Sequence, residues 1–223
     1  MCGRFTLTLD PDELQEAFDL SAPPAGLAPR YNIAPSQPVA VVANTEARKL
    51  ELFQWGLIPS WAKDAKIGYK MINARSETLA EKPSFRAALK KRRCLVLADG
   101  FYEWKREGAS RAKTPMYIQL KGGQPFAFAG LWETWKSPDN KLIKSCTIIT
   151  TEPNALMKDI HDRMPVILPP KAYDLWLSPE ELPSEKLPPL FKPFAASQMR
   201  AYAVSPLVNN PRFDSPECVI PVK

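Results

Sequence analysis

The sequence predicts an α+β fold with a largely antiparallel, curved sheet, on three observations. Short apolar runs of strand length are joined by hairpin signals. Helical patterns fall irregularly between them instead of alternating with strands. The 24 prolines in 223 residues, roughly double the usual ~5%, break up long helices and argue against a smoothly wound parallel sheet. No internal repeat or shift in composition divides the chain, so residues 1–223 are expected to form a single domain.

Taken in order, Asp10 and Pro11 with Leu14 and Phe18 four apart read as a capped amphipathic helix. A proline-rich loop leads to Tyr31-Asn32-Ile33-Ala34-Pro35. Val39 to Ala43 and the run from Leu50 to Trp55 read as paired strands. Residues 83–92 look helical with a basic end, and the continuous apolar run Cys94 to Ala98 reads as a buried strand. Met116 to Leu120 and Phe126 to Gly130 flank Lys121-Gly122-Gly123-Gln124, which signals a hairpin. A second hairpin is expected around Pro138-Asp139-Asn140, leading into Cys146 to Thr150. Beyond it the pattern gives a helix near 153–160, a strand near 164–168 and a helix near 171–177. Residues 178–197 read as irregular, and short strands are expected near 200–204 and 217–220.

Composition excludes several classes of function. With 45% hydrophobic and 24% charged residues the chain is an ordinary soluble globular sequence, not a disordered one. No apolar run approaches the ~20 residues of a membrane span, and Met1 to Asp10 lacks a secretory stretch. A soluble protein of the bacterial cytoplasm is expected. Thirty basic against 24 acidic residues give a net charge of +6, which permits binding to phosphates without requiring it. Cys2, Cys94, Cys146 and Cys218 form no CxxC pair, and the chain holds one histidine. Zinc and redox motifs are therefore absent, and no metal or cofactor is expected.

Four segments carry groups with chemistry. Met1-Cys2-Gly3-Arg4 begins with a methionine that is normally removed before a small residue, exposing Cys2 as the terminus. A terminal cysteine joins an amine of pKa ~7.7–8.0 to a thiol of pKa ~8.5 on adjacent carbons. That 1,2-aminothiol is an N-terminal nucleophile, and it condenses with aldehydes to a Schiff base and then a thiazolidine. His161, in Asp159-Ile160-His161-Asp162-Arg163, is the one side chain whose ordinary pKa lies near neutrality. In Gly100-Phe101-Tyr102-Glu103-Trp104 a carboxylate sits between aromatics, which desolvate it and raise its pKa toward a general-acid range. In Ile72-Asn73-Ala74-Arg75, Asn73 offers a donor and an acceptor and Arg75 a phosphate grip. Trp55 and Trp61 flank a turn where an exposed ring would stack on an unpaired base. Each segment also has an ordinary reading: Cys2 as chance, His161 and Arg75 as surface residues, Glu103 facing water, the tryptophans buried.

The order of the segments is more specific than any one of them. MCGRF, RYNIAPSQ at 30–37, WGLIPSW at 55–61, INARSET at 72–78, RCLVLADGFYEW at 93–104, IHDRMPVIL at 160–168 and SPLVNN at 205–210 follow one another along nearly the whole chain. In this the sequence resembles the SRAP family, the SOS response-associated peptidases or abasic-site processing proteins. The resemblance implies a barrel-like antiparallel core and covalent capture of abasic sites in single-stranded DNA. Cys2 matches the cysteine that forms the thiazolidine, Asn73 the asparagine that positions it, Glu103 the acid/base carboxylate and His161 the active-site histidine. Arg4 and Arg75 fall at phosphate-holding positions and Trp61 at an aromatic near the bound strand. The family pattern can carry a second tryptophan directly after the first; here it is Ala62. The resemblance also implies a monomer that joins the nucleoid at damaged DNA, with abasic-site lyase cleavage as a side reaction. Two other readings stay open: a thiol peptidase or autopeptidase with Cys2 as nucleophile and His161 as base, and a non-covalent single-strand binding module.

Overall fold

The structure, a computed structural model, describes residues 2–45, 48–108 and 113–222. Its strands are β1 (Phe5–Leu7), β2 (Arg30–Ile33), β3 (Pro38–Ala43), β4 (Leu50–Trp55), β5 (Asn73–Arg75), β6 (Arg93–Ala98), β7 (Gly100–Arg106), β8 (Lys113–Leu120), β9 (Phe126–Lys136), β10 (Leu142–Thr151), β11 (Met164–Pro165), β12 (Ile167–Leu168) and β13 (Met199–Ala203). Short helices α1 (Pro11–Phe18), α2 (Arg86–Lys91), α3 (Tyr173–Leu177) and α4 (Leu187–Leu190) lie between them. The fold is α+β, as expected.

Five strands close on themselves in the order β4-β3-β6-β9-β10. Every pair is antiparallel except β10 with β4, where the ring shuts. Closure removes the free edges that a flat sheet would expose. β5, β11 and β12 extend this barrel. A second sheet, β13-β8-β7-β1-β2, stands against it. Strand β6 is buried along its whole length, as its unbroken apolar run implied.

The junction between the sheets is chemical as well as steric. Asp99, between β6 and β7, is buried and accepts from Thr8 N at 2.6 Å, from Thr8 Oγ1 at 2.5 Å and from Thr6 Oγ1. A buried carboxylate needs such donors, and these tie the corner to β1. The next residue must be glycine, since a Cβ at Gly100 would lie 2.1 Å from the Tyr117 hydroxyl. Phe5 then plugs the sheets together, its ring centroid 5.0 Å from that of Trp55 and 5.7 Å from that of Phe128. The N-terminal segment is thereby held by the core.

Several expected elements form where the pattern put them. Helix α1 has a full capping box, with Glu13 N donating to Asp10 Oδ1 and Asp10 N to Glu13 Oε2. β3 pairs with β4, and the turn at Ser137 to Lys141 joins β9 to β10. The hairpin expected across Gly122-Gly123 does not form. β8 pairs with β7 and β13, and β9 with β6, β10 and β12. With φ of +109° and +73° the two glycines carry the chain from one sheet to the other instead of folding it back. The helix expected near 153–160 is a single 3-10 turn, Met157–Asp159, and the strand near 217–220 is another, Pro216–Val219. The 164–168 strand is split into β11 and β12, because Val166 N bonds to Ile149 O while Ala129 N bonds to Val166 O. No helix among the described residues is long and apolar enough to cross a membrane.

Candidate active site

Cys2 lies just before β1, fully buried, its thiol donating to the Arg4 carbonyl at 3.8 Å. That carbonyl also accepts from Tyr102 N at 2.9 Å, so the β1–β7 pairing sets Glu103 beside the terminus. Burial pushes the Cys2 thiol far above its ordinary range, and the nearby Glu103 charge pushes it further.

Asn73 opens β5, which runs parallel to β10. Its Nδ2 donates to the Cys2 carbonyl at 2.7 Å. Its Oδ1 is buried and has no hydrogen-bond partner, an acceptor left over beside the cysteine.

Glu103 is 2% exposed, and burial pushes its carboxyl up to about 7. His161 Nε2 stands 3.9 Å from Glu103 Oε2, too far for a hydrogen bond but close enough for charge to matter. On the other side of the ring, Nδ1 is 3.0 Å from Arg163 N and 2.8 Å from Asp162 Oδ1. The first contact needs a bare Nδ1 and the second a protonated one. Burial lowers the His161 pKa, and the Asp162 carboxylate that opposes this is 87% exposed and screened. The neutral ring, accepting from Arg163 and carrying its proton on Nε2, is the favoured form.

Arg163 is held by a fork to Glu77, at 2.6 and 2.9 Å, and by a bond to Thr150 O at 2.7 Å. It thus ties the His161 loop to the turn that follows β5. Both residues lie inside the INARSET and IHDR blocks, where their opposite charges were the available signal.

Arg4 is half-buried. Its Nη1 donates to Asn32 Oδ1 and to Val208 O, both at 2.6 Å, and its guanidinium lies 5.8 Å from the Trp104 ring. Arg75 is exposed at the end of β5. Trp61 is 59% exposed, on the loop between β4 and β5, whereas Ala62 turns inward and its carbonyl accepts from Trp135 Nε1 at 2.7 Å. Cys2, Asn73, Glu103 and His161 therefore converge, while Arg4, Arg75 and Trp61 are distributed around them. A polar groove of about 440 Å³ opens at His161, between Trp104, Arg106, Lys113 and Lys158. A larger groove of about 580 Å³, lined by Leu79, Leu89, Leu187 and Phe191, is apolar and contains none of the four. The smaller one contains His161.

The sequence profile of the SOS response associated peptidase (SRAP) family matches residues 1–211. The chain belongs to the SRAP family. Its SRAP relatives include the abasic site processing protein YoqW of Bacillus subtilis (strain 168), 51% identical over 98% of this chain and 99% of that one. The abasic site processing protein HMCES of Xenopus tropicalis is 34% identical over 98% of this chain and 78% of its own. Among solved structures, a protein from Bacteroides thetaiotaomicron superposes with a TM-score of 0.87 at 28% identity, each chain covered in full. The closed barrel and its second sheet are thus the SRAP architecture.

Proposed function

We propose that this SRAP protein processes abasic sites in single-stranded DNA by condensing its terminal Cys2 with the ring-opened sugar aldehyde, after Met1 has been removed. The observation that carries the reading is the buried Glu103, with a pKa of about 7, set between the Cys2 segment and His161. The names of YoqW and HMCES support the substrate class.

The chemistry balances atom by atom. The free α-amine adds to the aldehyde carbon and gives a carbinolamine. Glu103, half protonated near neutrality, gives its proton to the departing hydroxyl, water leaves as the protonated imine forms, and the nitrogen's proton returns to the Glu103 carboxylate. The Cys2 sulfur then adds to the imine carbon, its proton passing to the nitrogen, and a thiazolidine closes. Ring closure consumes the aldehyde whose α-proton otherwise drives strand scission. An oxygen off the line between His161 Nε2 and Glu103 Oε2 lies within hydrogen-bond reach of both, which suits the sugar ring oxygen during opening. The Asn73 Oδ1 is an acceptor for a sugar hydroxyl, and Arg75 and Trp61 supply a phosphate grip and a stacking face. An imine that stalls before closure permits β-elimination, so lyase cleavage is the side reaction.

The elevated Cys2 thiol favours this order, amine first and sulfur last, over a thiolate that attacks peptides. Release of Met1 is then the one peptide cleavage the chemistry requires. The test is to incubate Met1-free protein with a strand carrying one abasic site. Protein plus strand minus one water is the expected mass, and Cys2→Ser should abolish that product while keeping salt-sensitive binding. Persistence of the product with Cys2→Ser would sink the thiazolidine.

A further inference from the structure

Of the four converging residues only His161 lines this groove, and nothing in the condensation uses its other walls. Arg106 ends β7 and Lys113 begins β8, so the β7–β8 register, in which they are paired, brings both cations to one wall. Lys158 stands with Asp159 in the 3-10 turn just before His161. All three cations are exposed. Against them stand two carboxylates, Asp159 and Asp162, the second drawn to the His161 ring. The remaining wall is Trp104, and it is fixed in place. Its Nε1 donates to Asn209 Oδ1 at 2.7 Å, and the Arg4 guanidinium stacks 5.8 Å from its ring. The positive charge of Lys113 reaches His161 and helps to lower its pKa, so the cationic wall adjoins the reacting group.

A volume of about 440 Å³ lies within the ~300–1,000 Å³ of small-ligand sites. A preset indole with several cations at its rim is the combination that holds a base and its phosphate. We propose that this groove seats the nucleotide next to the abasic sugar on one side of the strand, its base against Trp104 and its phosphate between Arg106, Lys113 and Lys158. The assignment rests on the proposed abasic-site reading and deepens it. It gives the protein a polarity: one flank of the lesion must be occupied for fast capture, and the other need not be.

The experiment uses three single strands, with the abasic sugar internal, at the 5′ end or at the 3′ end, and the Met1-free protein. Its variants are Arg106→Ala/Lys158→Ala and, as a control for lost charge elsewhere, Lys141→Ala in the β9–β10 turn. All these side chains are exposed, so the fold is retained. At subsaturating protein the double variant should slow crosslinking about tenfold on the internal site and on one terminal site. On the other terminal site, which has no nucleotide to place in the groove, it should match wild type. Equal slowing on all three strands, or none on the internal one, would overturn the groove. If wild type crosslinks no strand, the condensation reading fails by itself. The groove is then judged on binding to an intact strand, where the salt slope should fall by about 1.4 for two lost cations. An unchanged slope rejects it.

Discussion

Glu103 shows how a single burial decides both chemistry and stability. Its folded pKa of about 7 lies above the 4.5 of a free glutamate, and it is buried. Below pH 4.5 both folded and unfolded states hold the proton, and nothing is lost. Between 4.5 and 7 the unfolded chain ionises while the folded one keeps its proton, so stability falls as pH rises. Above 7 the loss is complete, about 3 kcal/mol at 1.36 kcal/mol per pH unit. Glu103→Gln should therefore be more stable than wild type by about that amount at pH 8, and equal to it at pH 4. Urea denaturation at the two values checks this. The same variant should slow abasic-site capture about a hundredfold. Wild-type capture should show a bell-shaped pH profile, rising as the α-amine deprotonates near ~7.7–8.0 and falling as Glu103 loses its proton. Loss of the alkaline fall in Glu103→Gln would assign that limb, whereas an unchanged profile would remove Glu103 from the proton path.

At the scale of elements, the site depends on loops that are anchored to strands by polar pairs. The His161 loop is one 3-10 turn followed by extended chain, and packing alone does not fix it. Arg163 does so by gripping Glu77 and Thr150 O, while its backbone N–H orients the His161 ring. Glu77 is held below the ordinary carboxylate range by its bonds to Arg163, but it is half exposed, so the pair contributes only about 1 kcal/mol to stability. Its larger effect should be on position. His161 is the sole histidine, so its imidazole resonances titrate without overlap. Wild type should titrate below 6.5, and Glu77→Ala should move the midpoint up toward 6.5 as water enters, with capture slowed several-fold. If midpoint and rate both hold, Glu77 positions nothing.

At the scale of the whole molecule, local chemistry was legible in the sequence and long-range pairing was not. The cap of α1 and the buried strand β6 follow from neighbours in the chain, whereas Glu103 is buried on the face of β7 opposite Tyr102 and Trp104, against the distant Cys2 and His161. The β8–β9 link misleads because a Gly-Gly turn between apolar runs also serves a crossover between two sheets, and only β13, some 80 residues later, reveals which. The bond from Arg4 to Val208, 204 residues away, is hidden from the sequence for the same reason. The residue that joins these distant parts is Asn32, in the RYN block and fully buried. Its Oδ1 accepts from Arg4, and its Nδ2 lies at 3.2, 3.0 and 2.6 Å from the carbonyls of Val208, Asn210 and Phe213. Asp214 closes the same clamp, accepting from Tyr31 N and Asn32 N at 2.6 and 2.9 Å. Asn32→Leu keeps the bulk and deletes the amide, leaving several carbonyls and one guanidinium short of partners. It should cost about 3 kcal/mol. Asp214→Asn, which retains an acceptor oxygen, should cost less. If the clamp serves the site through Arg4 and Trp104, Asn32→Leu should also slow capture at temperatures where it is fully folded, and Asp214→Asn should slow it less. Lost stability with an unchanged capture rate would make Asn32 a fold residue only, and would detach Arg4 from the work of the site.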